Sequence, residues 1–283
     1  MKLAQIRDAA GLLTAAIVEE GGCRLISRRT VATLIREAES RGRPLAELAS
    51  SLASKESLRS AALEIPVTPS EVWACGCTYA PSAEFRDGEL GTREGMYSYV
   101  YRAARPEIFF KGTARVCVGP GQPIGIRSDS KFTAPEPELA VVINDKGEIV
   151  AYTLANDVSA WDIERENALY LPQSKIYTGC CALGPVLVTP EGIPDPYKLE
   201  MTCTIARGGK VLFEGSTSTA KLQRRFEELV SYLRRANPVP AATVVLTGTG
   251  IIVTEDAALR PGDEVTIEVP EIGRLSNPVV VVG

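Results

Sequence analysis

Residues 135–143 join two carboxylates to an apolar run with the pattern of a buried strand. Glu136 and Glu138 stand two residues apart, and side chains alternate faces along a strand, so both carboxylates would point the same way. Like charges on a buried face repel each other, and a divalent cation with oxygen ligands is the usual remedy. The alternative is a solvated strand end, because such acid pairs are common on protein surfaces.

A third carboxylate, Asp157, follows the next apolar stretch. Three carboxylates without a competing soft ligand favour Mg²⁺ or Mn²⁺. The chain has no histidine, which excludes a Ser-His-Asp triad, a Cys-His dyad and imidazole metal ligands. Proton transfer must therefore fall to Lys, Glu, Asp, Tyr or a metal-bound water.

Several short motifs in a fixed order resemble the fumarylacetoacetate hydrolase superfamily, from about Trp73 to the C-terminus. The stretch 166–177 is similar to the branch of the 2-keto-3-deoxy-pentonate (arabinonate-type) dehydratases. The motifs are RPEIFFK at 105–111, VGPG at 118–121, the Glu136-x-Glu138 pair, NDVSA at 156–160, TGTG at 247–250 and LSNPV at 275–279.

The resemblance implies metal ligation by Glu136, Glu138 and Asp157, and an active-site lysine at Lys175. It implies Mg (or Mn) as the cofactor, with no organic cofactor. A lysine near a cation and in apolar company would have a lowered pKa and could act as a base. The alternative for Lys175 is a surface lysine.

Further candidates lie in the same motifs. Lys111 ends an apolar run and either reaches solvent or binds the substrate carboxylate. Glu107 is either a catalytic acid or a structural partner of Arg105. The TGTG motif resembles the family's substrate-carboxylate loop, the alternative being a tight turn between strands. The predicted substrate-binding residues are Thr78, Tyr79, Ser82, Lys111, Gln173, Thr247, Gly248 and Thr249.

The sequence departs from the family pattern at two places. Trp161 stands where the motif usually has arginine, which puts a local salt bridge or a substrate contact in doubt. Residues 78–82 lack the basic residue that often occupies the region of Ala80 or Pro81. Both changes fall near the expected pocket, so the substrate could differ from that of the sugar-acid dehydratases. In the polar stretch that follows, solvent exposure would explain Asp162, Glu164 and Glu166, with Glu166 the expected exception.

Composition sets further bounds. A chain of 283 residues with 45% hydrophobic and 23% charged residues can bury a sizeable core, and a net charge of −4 gives no reason to expect nucleic acid. No apolar run approaches the roughly 20 residues that span a bilayer, so no membrane partner is expected. The N-terminus shows no signal peptide pattern. Seven cysteines without zinc spacing indicate a reducing, cytoplasmic compartment.

The pattern of elements predicts a small N-terminal α/β segment at 1–70, with helices in 27–43 and 45–52, and a catalytic domain at 71–283. Many short strands and few helices in the second part indicate an α+β fold, a β-rich mixed-sheet roll. Hairpins are predicted around Asp145-Lys146-Gly147 and Gly208-Gly209, and a helix at 220–233.

The favoured hypothesis is a Mg²⁺-dependent lyase that dehydrates a 2-keto-3-deoxy sugar acid, giving 2,5-dioxopentanoate from a pentonate. Alternatives are a metal-dependent hydrolase or decarboxylase of a β-dicarbonyl acid, such as an acylpyruvate or fumarylacetoacetate, or a non-catalytic keto-acid-binding protein. The family's hydrolases resemble one another in using a His–Glu pair, which this chain cannot supply. The resemblance also implies a homodimer or homotetramer.

Overall fold

The computed structural model describes residues 1–59, 61–90 and 95–283. The helices are α1 (Val31–Ser40), α2 (Leu45–Leu52), α3 (Ala80–Leu90), α4 (Met96–Arg102), α5 (Trp161–Glu166), α6 (Leu171–Lys175) and α7 (Phe226–Leu233). The strands are β1 (Lys2–Arg7), β2 (Leu13–Glu19), β3 (Gly22–Ile26), β4 (Val72–Gly76), β5 (Glu107–Gly112), β6 (Cys117–Val118), β7 (Ile124–Arg127), β8 (Thr133–Ala134), β9 (Pro137–Ile143), β10 (Ile149–Asp157), β11 (Ser159–Ala160), β12 (Cys181–Val188), β13 (Glu200–Arg207), β14 (Lys210–Ser218), β15 (Thr243–Leu246), β16 (Glu264–Val269) and β17 (Gly273–Val282).

A large mixed sheet forms the body of the protein. Its strand order is β3-β2-β1-β12-β10-β9-β15-β4-β5, with β6 pairing in parallel to β12. Every residue of β9 and β12 is buried. The sequences of these central strands are nearly continuous apolar runs because both faces of the sheet are covered.

A second sheet, ordered β14-β13-β16-β17-β7, packs its apolar residues into the same core. On β13, Met201, Cys203 and Ile205 are buried and alternate with more exposed neighbours, as expected for a sheet with one covered face. The core also receives α7 through Phe226, Leu229 and Val230. The protein is thus an α+β fold dominated by mixed sheets.

Most predicted elements are present, with shifted ends. The two predicted hairpins are β9–β10 and β13–β14. The helix predicted at 220–233 begins only at Phe226, because Thr219–Lys221 forms a 3-10 turn instead. None of the helices in the described residues is both long and apolar enough to cross a membrane.

The N-terminal strands belong to the large sheet. Strand β1 pairs antiparallel to β12, and β2 and β3 extend the sheet outward from it. Helix α1 lies over this region with Val31, Leu34 and Ile35 buried. The division of the chain near residue 70 stays a prediction.

Candidate metal centre and active site

Two antiparallel strands bring the three predicted metal ligands together. Glu138 on β9 lies across from Ala155 on β10, two residues before Asp157 ends that strand. The Asp157 amide donates to the Glu136 carbonyl at 2.9 Å. One carboxylate oxygen from each acid can be chosen so that all three lie within 4.8 Å of one another. The same-face prediction for Glu136 and Glu138 therefore places them with Asp157 in one cluster.

The cluster has the properties of a hard-cation site. Glu136, Glu138 and Asp157 are only 3%, 1% and 1% exposed. Burial, together with Asp157 and Glu136, raises the pKa of the Glu138 carboxyl well above its ordinary value. Both carboxylate oxygens of Asp157 are buried and lie beside ammonium groups, Oδ1 at 2.5 Å from Lys111 and Oδ2 at 3.5 Å from Lys175. Buried carboxylates this close fit Mg²⁺, which takes oxygen ligands and neutralises their repulsion.

Lys175 lies at the centre of the cluster. Its ammonium donates to Glu136 Oε1 at 3.0 Å and to Ser159 Oγ at 2.6 Å, and lies 3.5 Å from Asp157 Oδ2. The side chain is 1% exposed, which rules out the surface-lysine alternative. It comes from the end of α6, a helix that has a proline in its first turn. These ion pairs hold the ammonium against two of the predicted metal ligands.

Lys111 is buried and pairs with the third predicted metal ligand. Its ammonium is fully buried, 2.5 Å from Asp157 Oδ1, and it donates to the Val158 carbonyl at 3.1 Å. Burial is the largest single influence and would lower the pKa of this ammonium, but the Asp157 carboxylate, together with Cys180 and Cys181, raises the pKa above its ordinary value. The structure therefore pairs Lys111 with Asp157, one of the predicted metal ligands. Its contact with the substrate carboxylate stays a prediction.

Glu107 is the first residue of the edge strand β5. Its neighbour across the strand pair is Gly76, the last residue of β4. The Cys77 thiol donates to Glu107 Oε2 at 3.2 Å. A Cβ atom added at Gly76 would lie 2.1 Å from the same carboxylate oxygen, so glycine at this position makes room for the acid. The predicted alternative, a pairing of Glu107 with Arg105, is not among the ion pairs of the described residues.

Gly76→Ala should therefore displace Glu107 and lower kcat while the protein stays folded. The added methyl group collides with the end of a side chain, which can move, so we expect little change in melting temperature. Gly88→Ala is the matched control, because a Cβ atom there meets nothing within 4 Å. Steady-state kinetics and thermal melts of both variants test this expectation. Wild-type kcat in Gly76→Ala would show that the position of Glu107 is unimportant.

The TGTG loop follows β15 and contacts a metal ligand. The Gly248 amide donates to Glu138 Oε2 at 2.5 Å. Gly248 has a φ of +94°, and a Cβ atom there would lie 2.0 Å from Thr78 Oγ1. That Thr78 hydroxyl donates to the Thr247 carbonyl at 2.7 Å, and the Thr247 hydroxyl donates to Leu139. The TGTG segment is therefore a tight turn whose Gly248 amide holds Glu138. Its binding of a substrate carboxylate stays a prediction.

A small cavity of about 10 Å³ borders the cluster. Of the predicted residues, Ser82, Glu136, Asp157, Lys175, Gly248 and Thr249 line it. Cys75, Gly76, Cys77 and Phe109 complete the described lining. Tyr79 is buried beside Gly250, where a Cβ atom would meet its ring. Gln173 is exposed on α6, and its backbone carbonyl accepts from Arg127, so its side chain is not brought to the cavity.

Glu164 is the buried acid that the sequence interpretation missed. It is 6% exposed, its Oε2 lies 3.8 Å from the Lys175 ammonium, and Tyr97 on α4 donates to its other oxygen at 3.3 Å. Glu166, the expected exception, is exposed. On α5, positions 161 and 164 share the buried face, so the helical spacing from Trp161 is the signal that identifies Glu164.

Buried charges of both signs gather at this site. Within the described part of the chain, the buried carboxylates of Glu136, Glu138, Asp157 and Glu164 lie beside the buried ammonium groups of Lys111 and Lys175. A divalent cation with oxygen ligands would add positive charge where the predicted ligands converge.

Comparison with known proteins agrees with this site. Residues 93–280 match the family described as fumarylacetoacetate (FAA) hydrolase, C-terminal. The chain belongs to the fumarylacetoacetate hydrolase family. It is 50% identical over 217 residues to 2-dehydro-3-deoxy-D-arabinonate dehydratase of Saccharolobus solfataricus, which covers 76% of this chain and 73% of that protein. It is 48% identical over 218 residues to a probable 2-keto-3-deoxyxylonate dehydratase of Haloferax volcanii, covering 77% and 75%.

A solved structure extends the similarity to the whole chain. The structure of 2-keto-3-deoxy-D-arabinonate dehydratase complexed with magnesium and 2,5-dioxopentanoate superposes with a TM-score of 0.83 at 37% sequence identity. The match covers 100% of this chain and 99% of that one. The N-terminal 92 residues, outside the family match, are thus included in the shared architecture.

Proposed function

We propose that this protein is a Mg²⁺-dependent dehydratase of a 2-keto-3-deoxy sugar acid. The observation that carries the proposal is the buried Glu136–Glu138–Asp157 cluster with the Lys175 ammonium 3.0 Å from Glu136. The dehydratase relatives, at about half identical residues, support the same reaction class. For a pentonate the product is 2,5-dioxopentanoate.

Glu136, Glu138 and Asp157 would hold the magnesium ion. Bound there, the ion would bind the C1 carboxylate and C2 ketone of the substrate, and stabilise the negative charge that develops as C3 loses a proton. Gly248 fixes Glu138 through its amide, and Lys111 fixes Asp157 through its ammonium. The backbone and side-chain partners therefore orient two of the three ligands before any ion binds.

Lys175 would remove the proton from C3. It lies in the cavity beside the metal ligands, where the reacting carbon of a chelated keto acid would come close. Ser159 holds the Lys175 nitrogen through its hydroxyl at 2.6 Å and so directs it. The C3 proton passes to the lysine nitrogen, and the electron pair of that C–H bond forms the enolate.

Glu107 would protonate the leaving C4 hydroxyl. The C4–O bond breaks as the enolate electrons form the C3–C4 double bond, and water leaves. The product of this step is a 2-keto acid with a C3–C4 double bond and a hydroxyl on C5. Loss of a proton from C5 and return of a proton to C3 move the double bond to C4–C5 and give an enol. Protonation of this enol at C4, with loss of its O–H proton, gives the aldehyde at C5. Glu107 suits this role because its carboxylate accepts from the thiol of Cys77, a residue that lines the cavity. Ser82 and Thr249 line the cavity and are proposed to bind the substrate, with Thr78, Tyr79 and Thr247 supporting the walls.

A substrate comparison tests the reaction class. Mg²⁺-loaded protein is incubated separately with 2-keto-3-deoxy-pentonates of both C4 configurations and with an acylpyruvate. We expect water loss and an aldehyde product from a pentonate, and no C–C cleavage of the acylpyruvate. Cleavage or decarboxylation without dehydration would contradict the proposal, and binding of both compounds without turnover would favour a non-catalytic protein.

Chelation should inactivate the enzyme without unfolding it. The two sheets bury a large apolar core that does not depend on the metal, unlike a small zinc domain. Far-ultraviolet circular dichroism should be unchanged after EDTA, while dehydration stops and returns when Mg²⁺ is added back. Loss of the folded signal would give the metal a structural role instead.

We further propose a homodimer or homotetramer in a reducing, cytoplasmic compartment. The family resemblance supports the oligomer, and several large apolar side chains are exposed, including Tyr99 at 69% and Leu169 at 84%. All seven cysteines are free thiols, which supports the compartment. Light scattering of the purified protein gives the oligomeric state, and a monomer at micromolar concentration would contradict it.

A further inference from the structure

Trp161 contacts a metal ligand directly. It is the first residue of α5, and its indole N–H donates to Glu136 Oε1 at 2.6 Å. The Lys175 ammonium donates to the same oxygen at 3.0 Å. Two donors on one carboxylate oxygen fix the plane of the carboxylate and the direction in which it faces Glu138 and Asp157.

The indole ring is itself held firmly. Trp161 is 4% exposed, and its ring packs against Phe132 at 5.5 Å and Phe85 at 5.8 Å between centroids. The backbone N–H of Trp161 donates to the Phe132 carbonyl at 2.9 Å. Because the indole ring is fixed by these contacts, its N–H group stays in one place. It can therefore hold the Glu136 carboxylate in one orientation.

We propose that Trp161 is a positioning residue for magnesium, acting through Glu136. The inference rests on the proposed metal site. The position is one where the sequence departs from the family motif, which usually has arginine. A neutral indole holds the carboxylate without adding positive charge, so the cluster keeps the negative charge that a divalent cation requires.

The substitution Trp161→Phe isolates the N–H group. Phenylalanine keeps an aromatic ring against Phe85 and Phe132, so the fold should survive. We expect Mg²⁺ affinity to fall by about 10- to 100-fold, the usual effect of losing a residue that orients a metal ligand. Saturating Mg²⁺ should restore most of kcat, because the N–H acts through the ligand rather than on the substrate.

Trp73→Phe is the matched control. The Trp73 indole also donates to a glutamate, Glu71, at 2.8 Å, but on the strand surface away from the acid cluster. Its loss should leave Mg²⁺ affinity unchanged. The chain has two tryptophans, so Trp73→Phe leaves Trp161 as the sole indole. Its fluorescence should change saturably with Mg²⁺, with the dissociation constant that calorimetry gives.

Each outcome is decisive. Weaker Mg²⁺ binding in Trp161→Phe with an unchanged control supports the inference, as does the saturable fluorescence change. Wild-type Mg²⁺ affinity in Trp161→Phe, or Trp161 fluorescence that ignores Mg²⁺, would overturn it while the dehydratase proposal stands. A wild-type protein that dehydrates its substrate without binding Mg²⁺ would overturn both. If Trp161→Phe fails to fold, the fluorescence titration alone decides.

Discussion

Glu136→Gln, Glu138→Gln and Asp157→Asn should each nearly abolish dehydration and weaken Mg²⁺ binding by more than about 100-fold. Each change removes a formal charge from the hard-cation cluster with little change in shape. Loss of a residue that only orients a metal ligand typically lowers metal affinity by about 10- to 100-fold, so loss of a ligand itself should lower the affinity further. Calorimetric titration with Mg²⁺ measures the effect, with Glu200→Gln on the exposed side of β13 as the control.

Glu138→Gln should also leave the metal-free protein at least as stable as the wild type. The pKa of the Glu138 carboxyl is raised in the folded state. Its ionisation therefore opposes folding, and the wild-type protein without metal should lose stability as the pH rises from the ordinary glutamate pKa toward the raised one. The amide variant removes this penalty. Thermal melts in EDTA test the expectation. A strongly destabilised variant would show that Glu138 is structural.

Lys175→Met should lower kcat by about 10²- to 10⁴-fold, the range that a positioned base contributes. Mg²⁺ binding should persist, because the change removes a positive charge 3.0 Å from Glu136 and leaves all three carboxylates. The control is Lys198→Met, an exposed lysine paired with Asp195. Lost Mg²⁺ binding in Lys175→Met would mean that the lysine maintains the site rather than acting on substrate.

The clustering of Glu136, Glu138 and Asp157 could be predicted from the sequence because it depends on strand periodicity. Glu136 and Glu138 share a face in any strand, and the hairpin at 145–147 brings the following strand alongside. The family resemblance then supplied Asp157 and Lys175 as members of the same site. Element types in the sheet followed from the same alternation, whereas the start of α7 was misplaced because a 3-10 turn precedes it.

Side-chain partners could not be read from the sequence in the same way. The apolar run before Lys111 is compatible both with a solvent-exposed lysine and with one that binds the substrate carboxylate. Only the folded structure shows that Lys111 pairs with Asp157 at the end of β10. Glu164 and Glu166 are both acids of a short helix, and the tertiary position of α5 decides which one is buried. The hydrogen bond from Trp161 to Glu136 joins residues 25 positions apart in the sequence, and no local sequence pattern predicts it.

Proton exchange at C3 tests the central claim most directly. A substrate analogue without the C4 hydroxyl cannot lose water, so proton NMR in D₂O follows proton removal alone. We expect wild-type protein with Mg²⁺ to exchange the C3 protons, and we expect exchange to cease with EDTA or in Lys175→Met. Exchange at the wild-type rate in Lys175→Met, or in the presence of EDTA, would contradict the account of a magnesium-assisted lysine base.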